Sequence, residues 1–492
     1  MPISIASIQA TKYKYRLSQR PFTALCIADS SGGAVMFRIQ AGQTKRYCDG
    51  VSRRSFVQLG IAGMSSLGLG GVLRARQAAA ADQKQTSAIL IWLDGGPGHM
   101  DMYDMKPEAP VEYRGIWRPI STNVPGIEIS ELFPRQAKIA DKFSIVRSLH
   151  HDTGDHFAGA HRMLTTKNMG VSGANTPGKF PSLGALVAYQ RRQQVSNIPS
   201  YVSVPVASSV GLRPGYFGGN LLGVQHDPFQ TEGDPSKGDF QVQNLSLSDG
   251  LAVDRLDDRQ GLRRELDRIS RQVESRGQFD ALDRFDQQAA AFVSGEKARQ
   301  AFDISREDDA IRDRYGRQSW GQSTLLARRL VEAGASFVTV HFGGWDHHWN
   351  LQSGMENYLP QVDAAVAGLL TDLEERGILE TTLVILCGEF SRTPRMNDGG
   401  NGGPPLSKGT PGRDHWGNSM FCLLGGGGVR GGQIVGSTNS RGESPATRPL
   451  RPDNLHATIY RCLGIDPKLQ ILDHSGRPTP VLEDPSVIEE LL

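Results

Sequence analysis

Residues 87–94 read Ser-Ala-Ile-Leu-Ile-Trp-Leu-Asp94, and the chain continues Gly-Gly-Pro-Gly-His99-Met-Asp101. An unbroken aliphatic run stopped by Gly-Gly-Pro is the pattern of a strand buried on both faces. Similar runs occupy residues 143–146, 201–206, 336–341, 382–387 and 420–424, with helical stretches between them. Strands alternating with helices predict an α/β fold, a sheet with helices on its faces. In open sheets of this kind ligands gather beyond the carboxyl ends of the strands, so the residues just past each run matter most.

Polar residues stand after nearly every run. Asp94 closes the first. After the second come Ser148, His150, His151, Asp152, Thr153, Asp155, His156 and His161. Residues 336–344 lead into Trp345-Asp346-His347-His348, and residues 382–388 into Glu389-Phe-Ser-Arg392. Beyond a Gly/Pro-rich loop at 397–412 stands Arg413-Asp414-His415. Singly, each has a bland role: Asp94 caps a turn, Glu389 pairs with Arg392, Asp414 with Arg413. Their recurrence at equivalent strand ends is the signal, and nine of the 12 His lie in or beside these segments. A mixed Asp/Glu/His set suits Zn²⁺ or Mn²⁺, one ion or two, with Mg²⁺ or Ca²⁺ less natural partners for imidazole.

The charge balance narrows the partners. Of 492 residues, the first 81 hold 11 Lys or Arg and two Asp, while the remaining 411 carry 43 basic and 50 acidic residues. A body that is net acidic is a poor non-specific nucleic-acid binder. The basic N-terminus contains Ser52-Arg53-Arg54-Ser55-Phe56, an apolar Gly-rich run at 56–73 and then Ala78 to Ala81. That order predicts a twin-arginine signal peptide within an extension over 1–81, recognised by the twin-arginine export machinery and cleaved near Asp82. Initiation at Met36 would leave a signal of ordinary length. A cleaved signal leaves no stable membrane span and places the mature protein in the periplasm or outside the cell. No CxxC spacing occurs, so neither a disulfide scaffold nor a thiolate zinc site is expected. Residues 250–330 are rich in Arg, Asp, Glu, Gln and Ala with apolar residues at helical spacing, which predicts a helical insertion in a domain over 82–492.

A strand ending in Asp94-Gly-Gly, a His-rich segment leading to Met163-Leu-Thr-Thr166, then GGWDHH at 343–348, GEFSRTPR at 388–395 and GRDHW at 412–416 resemble domain-of-unknown-function family 1501. The likeness runs over most of 85–480. It includes AFD at 301–303, LARRLVEAG at 326–334 and the tail around His456 and Tyr460. The family is secreted and bacterial, and is placed in the alkaline phosphatase/sulfatase superfamily. That placement implies a doubly wound, mostly parallel sheet with helices on both faces, and a site for usually two divalent metals.

Carried over by residue, the resemblance makes Asp94, Asp346, His348 or else its neighbour His347, Glu389, Asp414 and His415 metal ligands. Phe390 stands where a further His ligand would come after Glu389. Arg392 would grip a non-bridging oxygen of the ester. The superfamily's nucleophile opens a helix, and counting back from Leu164-Thr165 puts that position on His156. Three roles stay open there: Thr153 as nucleophile, direct attack by a metal-activated hydroxide, or His156 itself as ligand or nucleophile. The implied activity is metal-dependent hydrolysis of a phosphate or sulfate ester on a small molecule or glycan. The alternative is a relative that binds metal or an anionic glycan without hydrolysis.

Overall fold

The computed structural model describes residues 85–169, 179–194, 198–242, 296–399, 408–473 and 475–492, together with the backbone of two short strands nearer the N-terminus. The chain divides into two units, Met1–Lys84 and Gln85–Leu492. In the first, Thr23–Ile27 pairs antiparallel with Met36–Gln40. The twin-arginine segment and residues 250–295 of the expected insertion lie outside the described residues.

The second unit is built on an eight-stranded sheet. Its strands are β1 Ser87–Asp94, β2 Phe143–Leu149, β3 Tyr201–Val204, β4 Phe229–Gln230, β5 Phe337–Gly343, β6 Thr382–Gly388, β7 Met420–Gly425 and β8 Gln433–Val435. In space the order is β8-β2-β7-β6-β1-β5-β3-β4. Every pairing is parallel except those of β7, which runs against both β6 and β2. The sheet is therefore mixed and mostly parallel, as expected. β4 and β8 are edge strands of two and three residues, too short to stand out as apolar runs.

Strand side chains alternate between two cores, one on each face. Ile89, Ile91 and Leu93 of β1 pack into one, with Leu325 to Leu330 of helix α3 (Ser319–Glu332) and Val362 to Leu373 of α4 (Leu351–Glu375). Ala88, Leu90 and Trp92 enter the other. There they meet α1 (His156–Thr165), α2 (Leu183–Gln190) and α5 (Pro452–Cys462). Helices thus cover both faces, which explains why the central strands are apolar on both sides. Among the described residues no helix is long and apolar enough to cross a membrane. From the expected insertion, Glu296–Phe302 and Asp309–Tyr315 are helical.

Strand direction assembles the site. β1, β5 and β6 run side by side, so Asp94, Asp346 and Glu389 all emerge at one edge. β7 is antiparallel, so that edge is where it begins, and His415-Trp416 precede it there. The two-residue pairing of Ser391–Arg392 with His415–Trp416 ties this approach to the exit from β6.

Candidate metal centre

Three imidazoles and one carboxylate meet at this edge. His156 opens α1, whose start is fixed by Asp155: its carboxylate accepts the Ala158 N–H at 2.9 Å, a standard N-cap. Asp346 and His348 lie in the turn after β5, and His415 just before β7. One ligand atom each from His156, Asp346 and His415 lies within 4.8 Å of the others, a grouping able to hold a metal ion. His348 Nε2 is 3.0 Å from Asp346 Oδ1 and 3.0 Å from His415 Nε2. His415 Nε2 is 3.2 Å from the same Oδ1, and His156 Nε2 is 3.3 Å from Asp346 Oδ2.

The far side of each ring is anchored on oxygen. His156 Nδ1 lies 2.8 Å from Glu389 Oε1, His348 Nδ1 2.6 Å from Asp414 Oδ1, and His415 Nδ1 2.7 Å from the Gly154 carbonyl. A carbonyl can only accept, so His415 carries its hydrogen on Nδ1 and turns the Nε2 lone pair toward Asp346. The carboxylates assign the same tautomer to the other two rings. Imidazole held at Nδ1 by an oxygen and free at Nε2 is the usual arrangement of a histidine metal ligand. Two lone pairs 3.0 Å apart, as on His348 and His415, need a proton or a cation between them. His156 Nε2 is buried and faces Asp346 Oδ2. The donor set fits a divalent transition metal.

The electrostatics agree. Burial disfavours a charge on His156, but hydrogen bonds and charge from Asp346 and Glu389 outweigh it and lift the imidazole to about 9. Burial alone would raise the Asp346 carboxyl, yet contact with the imidazoles of His156, His348 and His415 and the nearby Arg392 charge drive it far below the usual carboxylate range. His348 is raised by its hydrogen bond to Asp346, and burial lowers His415. Without a metal, protons take the place of positive charge around Asp346.

The other expected residues form the surrounding shell. Glu389, fully buried, receives the Gly95 N–H on both oxygens at 2.9 and 3.1 Å in addition to His156, and burial pushes its carboxyl upward. Its partner is therefore His156 rather than Arg392, and Asp414 holds His348 rather than Arg413. Asp94 accepts Trp92 Nε1 at 3.2 Å and the Val210 N–H at 3.0 Å, and its Oδ2 lies 3.0 Å from His341 Nε2. Arg392 is fully buried: Nη2 donates to Asp346 Oδ1 at 2.6 Å and to the Gly95 carbonyl, and Nε donates to the Gly96 carbonyl at 2.6 Å. Its fork thus faces Asp346 and the chain after β1. The Thr153 hydroxyl accepts the Asp155 N–H at 3.1 Å in the turn before α1.

Other histidines are structural. His151 Nε2 donates to the Glu389 carbonyl at 2.6 Å, and burial lowers it to about 4. The ring of His161 packs against Tyr216 and Phe180, and His161 is buried in the core rather than at the strand-end cluster. His341 escaped the sequence reading because it lies inside the run of β5, where alternation with apolar neighbours hides it. Two buried contacts hold the turns in place. Arg413 grips Asp101 through Nε and Nη2 at 2.9 and 3.1 Å, both side chains being fully buried. Gly95 adopts φ +114°, and a Cβ there would stand 2.9 Å from the backbone nitrogens of Trp345 and Asp346.

The model of the family described as "Protein of unknown function (DUF1501)" matches residues 85–492. The chain belongs to this family. All the site residues placed so far lie within the span matched to DUF1501. Among solved structures the chain is similar to the PsFucS1 sulfatase from Pseudoalteromonas sp., at 14% identity over 81% of this chain and 71% of that one, TM-score 0.36. It is similar to the phosphonate monoester hydrolase SpPMH from Silicibacter pomeroyi, at 10% identity over 77% and 73%, TM-score 0.37. A third is a protein in the alkaline phosphatase superfamily from Vibrio parahaemolyticus, at 8% identity over 78% and 67%, TM-score 0.37. No curated protein matches the chain by sequence.

Proposed function

We propose that this member of DUF1501 is an exported metal-dependent hydrolase of a phosphate or sulfate ester. One observation carries the proposal: His156, His348 and His415, each anchored at Nδ1 by an oxygen, turn Nε2 toward the carboxylate of Asp346. These four residues would hold one divalent ion, zinc or manganese by the chemistry of the donors. When bound, the ion supplies positive charge for the anionic oxygens of the ester and polarises the bond to be broken.

The remaining residues position these four. Glu389 and Asp414 fix two of the imidazoles and raise their basicity. Arg392 fixes Asp346 from behind, and its burial makes it a positioning group rather than a hand for substrate. Asp94 and His341 form a neighbouring hydrogen-bonded pair beside the Asp346 turn, where a second ion would use Asp94. Asp346 is about half exposed, so an ester approaches from its side. The substrate is a small molecule or glycan ester met outside the cytoplasm. Arg53-Arg54 and the small-residue tract after the apolar run support export by the twin-arginine route.

The test is hydrolysis of p-nitrophenyl phosphate and p-nitrophenyl sulfate by chain reconstituted with zinc or manganese. The expected result is saturable turnover of one ester that Asp346→Ala lowers by about 10³-fold or more. A second reading is metal binding without hydrolysis. It is favoured by Thr153 and Arg392, both of which are engaged within the protein. A metal-loaded chain that cleaves neither aryl ester nor a sulfated or phosphorylated glycan would establish that second reading.

A further inference from the structure

Cys387 and Cys422 are 35 residues apart, and local spacing gives no reason to connect them. The sheet does. β6 and β7 are antiparallel neighbours, with Val384 opposite Gly425, Ile385 opposite Leu424 and Leu386 opposite Leu423. One rung further along, the same register sets Cys387 opposite Cys422. The layers agree: Leu386 and Leu423 enter one core, whereas Ile385, Leu424 and both cysteines enter the other. The two side chains therefore point to one face of the sheet. Both are buried, at 4% and 0% exposure. Directly opposed residues of an antiparallel pair have Cα atoms about 4.5–5.5 Å apart, inside the ~4.4–6.8 Å that a disulfide requires.

We propose that Cys387 and Cys422 are a cross-strand disulfide site, closed when the chain meets an oxidant of the disulfide class. The Cys387 thiol loses its proton and attacks one sulfur of the oxidant, releasing a first thiol. Cys422, deprotonated in turn, attacks Cys387 Sγ and releases the second. Two S–H bonds become one S–S bond, and the oxidant is reduced by two electrons to two thiols. Burial pushes the Cys422 thiol well above its ordinary range, so the reduced pair is slow to react in the folded chain. The bond staples the two strands that carry the site. Cys387 precedes Glu389 by two residues, and Cys422 lies seven beyond His415. Closure of this bond does not depend on the proposed metal or activity.

The test uses the full chain and hydroxyethyl disulfide, in native buffer and again during refolding from urea. After an acid quench and denaturation, remaining thiols are alkylated and the peptides analysed by mass spectrometry. The expected result is loss of the alkylatable thiols of Cys387 and Cys422, a linked peptide joining the two, and a higher Tm for the oxidised chain. The linked peptide disappears in Cys422→Ser. Cys462, partly exposed on α5, reports that the oxidant acts. Recovery of Cys387 and Cys422 as free thiols under both conditions, while Cys462 carries the mixed disulfide, would overturn the proposal. So would a bond from either one to a different cysteine.

Discussion

His156 Nδ1 and Glu389 Oε1 face each other at 2.8 Å, an imidazole at the first turn of a helix held by a carboxylate 233 residues further along the chain. Glu389 is fully buried and also takes the Gly95 amide, so it couples the exit from β1 to the ring of His156. Removing its charge leaves the fold but weakens the hold on that ring. Glu389→Gln should lower divalent-metal affinity by about 10–100-fold, the usual cost of losing an outer carboxylate. Competition against a chromophoric chelator measures the affinity, and circular dichroism checks the fold.

The sequence announced this site more fully than it explained it. Asp346, His348 and His415 were legible because each stands just after or just before an apolar strand, and strand ends share an edge. His156 could be placed by its distance from the end of α1, but its role could not, because that role depends on Glu389 and Asp346. Direction was invisible too: nothing in residues 420–425 says that β7 runs backwards, yet this reversal delivers His415 to the edge. The expected grip of Arg392 on an ester oxygen could not be weighed without its neighbours, since its burial and its bond to Asp346 are tertiary facts. Edge strands β4 and β8 are too short for any periodic pattern to register.

Gly95 is where the backbone itself is constrained. Its φ of +114° is costly for any L side chain, and a Cβ would press on the Trp345 and Asp346 amides. Gly95→Ala should destabilise the chain by about 1–2 kcal/mol or more from conformation alone. It should also displace the Asp346 turn, so metal affinity falls along with the urea midpoint. Urea unfolding of the metal-free variant separates the two effects.

The Asp101–Arg413 pair makes a sharper stability prediction. Both groups are fully buried, and Asp101→Ala leaves the guanidinium with backbone carbonyls from Thr393, Pro394 and Tyr113 but no counter-charge. Breaking one side of a buried pair typically costs about 3–5 kcal/mol. The loop carrying Asp414 and His415 begins at Arg413, so it should become the first segment to gain amide exchange, read by hydrogen–deuterium mass spectrometry.

His456 gives the protein an acid-sensitive contact far from the strand-end cluster. Its Nε2 donates to the Met163 carbonyl at 2.7 Å between α5 and α1, and complete burial lowers the imidazole to about 4. The unfolded chain takes up a proton near the ordinary 6.5, whereas the native state resists until about 4. Stability is therefore full above about 6.5 and is lost as pH falls toward 4, by about 3 kcal/mol from this residue. His456→Gln keeps a donor for Met163 and removes the titration. The difference in unfolding free energy between pH 7 and pH 4.5 should shrink by about 2–3 kcal/mol in urea titrations.

The central claim is that three imidazoles and Asp346 form one metal centre. Elemental analysis after equilibrium dialysis against zinc or manganese tests it directly, on the wild-type chain and on Asp346→Ala. The predicted result is about one ion per wild-type chain and a near-complete loss in the variant, with circular dichroism unchanged. A wild-type chain that binds no ion, or a variant that retains the full complement, would contradict it.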